Sequence, residues 1–134
     1  MKKSLFLSML IALFSPIALG ADKVTTVPVH FAKGASNAQL KGTFGGYDSI
    51  EYTLSAKAGQ RMTVKISGSS NANFNVFAPG SKPGEAEALG SGSVGTDWSG
   101  ALPASGEYRV QVFQMRASAR RGEKVPHTIS IAIE

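Results

Sequence analysis

The chain has no cysteine. A disulfide framework, a zinc ribbon and a thiol nucleophile are therefore excluded, and the fold must rest on packed apolar surface. Acidic residues are few, nine against fourteen Lys and Arg, and histidine occurs twice. His30 and His127 lie far apart in strand-like patterns, with no Cys, Asp or Glu at ligand spacing, so they read as structural surface or edge residues and not as a metal site or a catalytic dyad. Neither a Gly-x-Ser-x-Gly elbow nor a phosphate-binding glycine loop is present. Asp48, Glu51, Asp97 and Glu107 read as solvated or turn-capping carboxylates. These absences point away from an enzyme, and no cofactor or metal is expected.

Long apolar runs are missing as well, apart from one at the start. Lys2 and Lys3 precede an apolar stretch over residues 5–14 broken only by Ser8, and Ala18-Leu19-Gly20 supplies the small residues that a signal peptidase reads. The stretch is too short for a comfortable membrane span, so residues 1–20 read as a signal peptide cleaved after Gly20, with export and no stable membrane insertion. No cysteine at that site offers a lipid anchor. A 20-residue leader leaves 114 of the 134 residues, enough for a single domain over 21–134 with one core. Without Lys2 and Lys3 the formal charge falls from +5 to +3, less than a nucleic-acid binder of this size usually carries, and export argues against that partner independently.

What is present is alternation. Val27, Val29 and Phe31 mark a first strand; Leu40 and Phe44, either side of Gly42, a second; Ile50, Tyr52 and Leu54 a third; Met62, Val64 and Ile66 a fourth. Ala58-Gly59-Gln60 between the last two reads as the turn of a hairpin. Phe74 and Val76 follow, with Phe77 on the other face. Residues 79–95 hold five Gly, two Pro and three Ser in seventeen positions and read as one long loop. Trp98 to Leu102, Tyr108 to Gln114, and Ile129, Ile131 and Ile133 complete about eight strands. Short alternating strands with turn residues every eight to twelve positions describe an all-β fold, an antiparallel β-sandwich. Helical signals are limited to residues 115–121 and a weaker candidate at 83–89.

Three surface constellations stand out. In residues 115–121 one helical turn would set Arg116 and Arg120, at i and i+4, on one face with no acidic partner four residues away, a fit for carboxylates as well as an ordinary solvated basic turn. Gly45-Gly46-Tyr47-Asp48 is a tight turn with an aromatic tip, as suited to docking as to turning the chain. Ser105-Gly106-Glu107-Tyr108 reads first as a structural turn, in which Gly106 permits a positive φ and Tyr108 buries its ring. Its alternative is entry into a partner's cleft.

With these residues in view the sequence resembles the periplasmic inhibitors of goose-type (g-type) lysozyme. The resemblance rests on Phe31-Ala32-Lys33-Gly34 with Ser36, Ala38 and Gln39, on Gly46-Tyr47-Asp48, and on Tyr52 with Ala56-Lys57-Ala58-Gly59-Gln60. It continues through Phe77-Ala78-Pro79-Gly80, Leu102-Pro103-Ala104-Ser105-Gly106-Glu107-Tyr108 and Gln114-Met115-Arg116-Ala117-Ser118-Ala119-Arg120, in order across most of the domain. It implies a β-sandwich, a periplasmic location and a g-type lysozyme as partner, with Tyr47, Arg116 and Arg120 entering the active-site cleft and Asp48 nearby. The turn that holds Ser105 and Tyr108 also resembles one in the inhibitors of invertebrate-type lysozyme, which keeps that enzyme as an alternative target. A carbohydrate-binding or accessory module is the other alternative.

Overall fold

The computed structural model describes residues 22–134; the leader expected over residues 1–20 lies outside them. In chain order the strands are β1 (Val24–Pro28), β2 (Asn37–Gly45), β3 (Ser49–Ala56), β4 (Arg61–Gly68), β5 (Asn73–Phe77), β6 (Gly90–Ser93), β7 (Trp98–Ala101), β8 (Gly106–Phe113) and β9 (Lys124–Ile133), with one helical turn, α1 (Arg116–Arg120), between β8 and β9. They form a five-stranded sheet, β1-β3-β8-β5-β6, and a four-stranded sheet, β2-β9-β4-β7. Among the described residues no helix is long and apolar enough to cross a membrane.

The two sheets close as a sandwich because each strand's alternation puts one apolar row inward. Ile50, Tyr52 and Leu54 of β3, Val110 and Val112 of β8, and Phe74 and Val76 of β5 face Met62, Val64 and Ile66 of β4 and Val125, Ile129, Ile131 and Ile133 of β9 in one buried cluster. Phe77 is buried too but lies outside that cluster, as its place in the alternation requires.

Four expectations are corrected. First, β3 and β4 are not a hairpin: they belong to different sheets, and the Ala58-Gly59-Gln60 turn carries the chain across the sandwich. Strong alternation on both sides of a short turn fits either connection, and only the partner strands, β8 for β3 and β9 for β4, decide between them. Second, β1 begins earlier than the Val27–Val29–Phe31 pattern suggests and runs parallel to β3. The ladder stops at Pro28, yet Val29 is buried and Phe31 packs against the core, so the alternation marks packing beyond the end of the strand.

Third, the long loop contains a strand. β6 pairs with β5, and its glycines are there because side chains lie against them. A Cβ on Gly90 would come within 2.0 Å of Trp98 Nε1, and one on Gly92 within 2.4 Å of Phe74 Cζ. Glycine as a close-approach residue and glycine as a loop residue look alike in a sequence. Fourth, residues 83–89 form no helix: the amides of Glu85 and Ala86 both donate to Lys82 O, and the chain then straightens into β6.

Candidate docking surface

β8 runs as a rigid bar between two groups of candidate residues. Eight residues at about 3.3 Å each separate the turn before Gly106 from α1 beyond Phe113, so the two groups sit at opposite ends of the sandwich. Since β3 is antiparallel to β8, pairing Ile50 with Val112 and Ala56 with Gly106, the turn preceding β3 lies at the α1 end. That turn is Gly46-Tyr47-Asp48. Segments some seventy positions apart are thus brought together by one ladder.

The junction is held by Gln114, the residue that continues the inward row Tyr108, Val110, Val112. Its amide Nε2 donates to Gly46 O at 2.9 Å and to Glu123 O at 2.8 Å, and because both acceptors are carbonyls the orientation of the amide is fixed. The Gly46 amide in turn donates to Glu123 O at 3.1 Å. Gly46 takes φ 58°, open to glycine at little cost, and packs over the end of α1, where Ala119 O is 3.7 Å from the Cβ another residue would have. Tyr47 is therefore delivered at the tip of an anchored turn, and it is 49% exposed. Asp48 is a tether as well as a neighbour: its Oδ1 accepts the Lys23 amide at 2.9 Å and draws the start of β1 to this end.

On α1, Ser118 and Ala119 face inward and are buried, while Arg116, Ala117 and Arg120 are exposed. One helical turn suffices to place the two guanidinium stems about 6 Å apart on the solvent side. Among the described residues the ion pairs are Arg109 with Glu51 and Glu107, and Arg121 with Glu123. The Glu123 carboxylate also accepts Asn71 Nδ2 at 2.7 Å, and the Arg121 and Asn71 hydrogen bonds hold its pKa below the usual carboxylate value. The Glu123 carboxylate is thus already engaged, and Arg116 and Arg120 have no acidic partner among the described residues.

Ser105 and Tyr108 lie at the far end. Ser105 Oγ accepts the Ala58 amide at 2.9 Å. Tyr108 is 0% exposed, its hydroxyl donating to Ala104 O at 2.6 Å and accepting the Ala104 amide at 3.2 Å. Of the two readings of this turn, the structural one accounts for both hydroxyls. As a docking candidate Tyr108 is corrected, since an enclosed ring has no surface to offer a partner.

His127 also differs from expectation. β9 is an inner strand, and His127 is 4% exposed inside the sandwich, with Nε2 2.9 Å from the Tyr52 hydroxyl of the opposite sheet and Nδ1 3.2 Å from Val125 O. The neutral ring with its proton on Nδ1 satisfies both contacts. Burial lowers the His127 pKa, opposed by the Val125 carbonyl, and burial pushes Tyr52 up to about 12. The folded state therefore binds the imidazole proton less readily than the unfolded chain does. Stability from this group is present above about pH 6.5 and is lost as pH falls toward the lowered value, with a slope of at most about 1.4 kcal/mol per unit. Urea unfolding at pH 7.5 and 5.5 should show this loss, and His127→Gln should flatten it; an unchanged slope in the variant assigns the acid sensitivity elsewhere.

Gln114 and Met115 were not singled out as site residues by sequence reasoning. The signal for Gln114 was an amide in an inward row of apolar residues.

No protein-family model matches the chain. It is 35% identical over 126 residues, 94% of this chain and 92% of the other, to an inhibitor of g-type lysozyme from Escherichia coli strain K12. The solved structure of a periplasmic lysozyme inhibitor of g-type lysozyme from Aeromonas hydrophila superposes with a TM-score of 0.83 at 70% identity, covering 85% of this chain and all of that one. The corresponding inhibitor from Salmonella Typhimurium gives 0.65 at 29% identity over 82% of this chain and 98% of its own. A β-sandwich whose sequence matches along nearly its whole length places the chain in the family of g-type lysozyme inhibitors.

Proposed function

We propose that this protein is a periplasmic inhibitor of g-type lysozyme, and that it blocks the enzyme's active-site cleft with Tyr47, Asp48, Arg116 and Arg120. The observation that carries the reading is the Gln114 junction, which fixes an exposed tyrosine beside two unpaired arginines. A glycosidase cleft holds a carboxylic acid, commonly with a second carboxylate, in a narrow and partly desolvated groove. Guanidinium groups entering it make charge-assisted hydrogen bonds stronger than those on an open surface, while a tyrosine ring fills a sugar subsite at small entropic cost. Inhibition is by occupancy and involves no chemistry on the inhibitor. Ser105 stays with the structural turn at the other end.

The test is a lysis assay on a peptidoglycan suspension with g-type, invertebrate-type and chicken-type lysozymes. Stoichiometric inhibition confined to the g-type enzyme is the expected result. Selective inhibition of the invertebrate-type enzyme would move the target, and binding to peptidoglycan with no effect on any lysozyme would make the protein a carbohydrate-binding module.

A further inference from the structure

The start of α1 goes against what helix stability asks for. Met115 occupies the N-cap with φ −69° and ψ 161° and makes no side-chain cap hydrogen bond, although Ser, Thr, Asp and Asn are the residues that satisfy the free amides there. Arg116 follows, a cation at the end of the helix where the macrodipole favours anions, and the first turn holds no acidic residue. Met115 is also 60% exposed, the highest exposure of any large apolar residue described. A single exposed apolar residue needs no explanation; an exposed thioether in place of a cap, followed at once by a misplaced charge, does, because local rules are given up where function asks for it.

The surroundings narrow what Met115 touches. With Phe113, Asn73, Asn75, Ser93 and Thr96 it borders an open groove of about 300 Å³ on the outer face of the five-stranded sheet, and its immediate neighbour in sequence is Arg116. Of the four large apolar residues that are exposed among the described residues, Met115 and Tyr47 belong to the two segments that meet at Gln114.

We infer that Met115 is an apolar anchor of the docking surface, seated against the apolar or aromatic lip of the saccharide cleft of the same lysozyme whose carboxylates Arg116 meets. This rests on the docking site proposed above. An unbranched thioether adapts to a curved apolar wall and contacts aromatic edges favourably, and as the residue before Arg116 it excludes water from the guanidinium contact, as the apolar surround of a binding hot spot does.

The experiment exploits opposite signs. Met115→Ser installs the cap and removes the apolar contact, so Tm should rise while inhibition weakens by about tenfold or more. Met115→Leu keeps the bulk and should stay within about threefold of the native protein on inhibition. If Met115→Ser raises Tm and inhibits normally while Arg116→Ala does not inhibit, the anchor is refuted and the docking site stands. If Met115→Ser lowers Tm and inhibition together, Met115 is structural and the inference fails. Normal inhibition by Arg116→Ala as well would remove the docking site and this inference with it.

Discussion

Arg116→Ala should weaken lysozyme inhibition by roughly 2 kcal/mol or more, because in the proposed docking it would leave a buried carboxylate of the enzyme without its counter-charge. Arg116→Lys should recover only part of the loss, since an ammonium cannot make the planar two-point contact of a guanidinium. Lys124→Ala is the control. Lys124 is exposed at the same end of the sandwich, alongside Gly45, and shares the sign of the charge but not its placement on α1. Inhibition constants and melting temperatures for the three variants decide the matter. Tm should stay near native throughout, as none of these side chains enters the core. Equal losses for Arg116→Ala and Lys124→Ala would show that diffuse positive charge does the binding.

Phe74→Ala should cost about 3–5 kcal/mol in stability, the largest effect expected of a single change in the core. The ring is fully buried and lies against Gly92 of the neighbouring strand, so the vacated space is walled by backbone that has little room to collapse. A loss of this size is a large share of the roughly 5–15 kcal/mol by which domains are stable. It should appear as a lower urea midpoint with an unchanged slope. Val24→Ala, at an exposed position of β1, should stay within about 0.5 kcal/mol of native. A cost below 1 kcal/mol for Phe74→Ala would mean that β6 does not close over the core as described.

The sandwich was legible because burial and alternation coincide in it. Ile50, Tyr52 and Leu54 read as the alternating row of one strand and are buried together, and Phe77 reads as facing away from Phe74 and does. Pairing was not legible: the one hairpin that the alternation suggests, β3 with β4, is not formed, and the one consecutive pair, β5 with β6, lies in a stretch that reads as a loop. Nothing in β3 states that its partner lies in β8, some sixty residues on, and the glycines of β6 imitate a loop until Trp98 and Phe74 are seen pressed against them. The docking site divides in the same way. Arg116 and Arg120 announce themselves by spacing and by the lack of acidic neighbours, whereas their meeting with Tyr47 depends on a ladder that the sequence does not spell out and was implied by resemblance alone. Ser105 and Tyr108 entered as candidates by their motif and separate from the rest because a strand of fixed rise stands between the two ends.

The strand order has a kinetic consequence. Of all consecutive strands, β5 and β6 alone are paired neighbours, so almost every ladder must wait for a distant part of the chain to arrive, and loop closure is paid for before any contact repays it. Sandwiches dominated by such pairings fold in about milliseconds to seconds, orders of magnitude slower than helical bundles of the same size. The docking end is completed late in that process. Gly46 is held by Glu123, and Gly45 pairs with Lys124 at the start of the last strand, so a chain emerging from its amino end carries Tyr47 long before it has the carboxy-terminal strand against which that turn is set. If inhibition resides at this end, as proposed, it arrives with the final strand and not in proportion to the length of chain made.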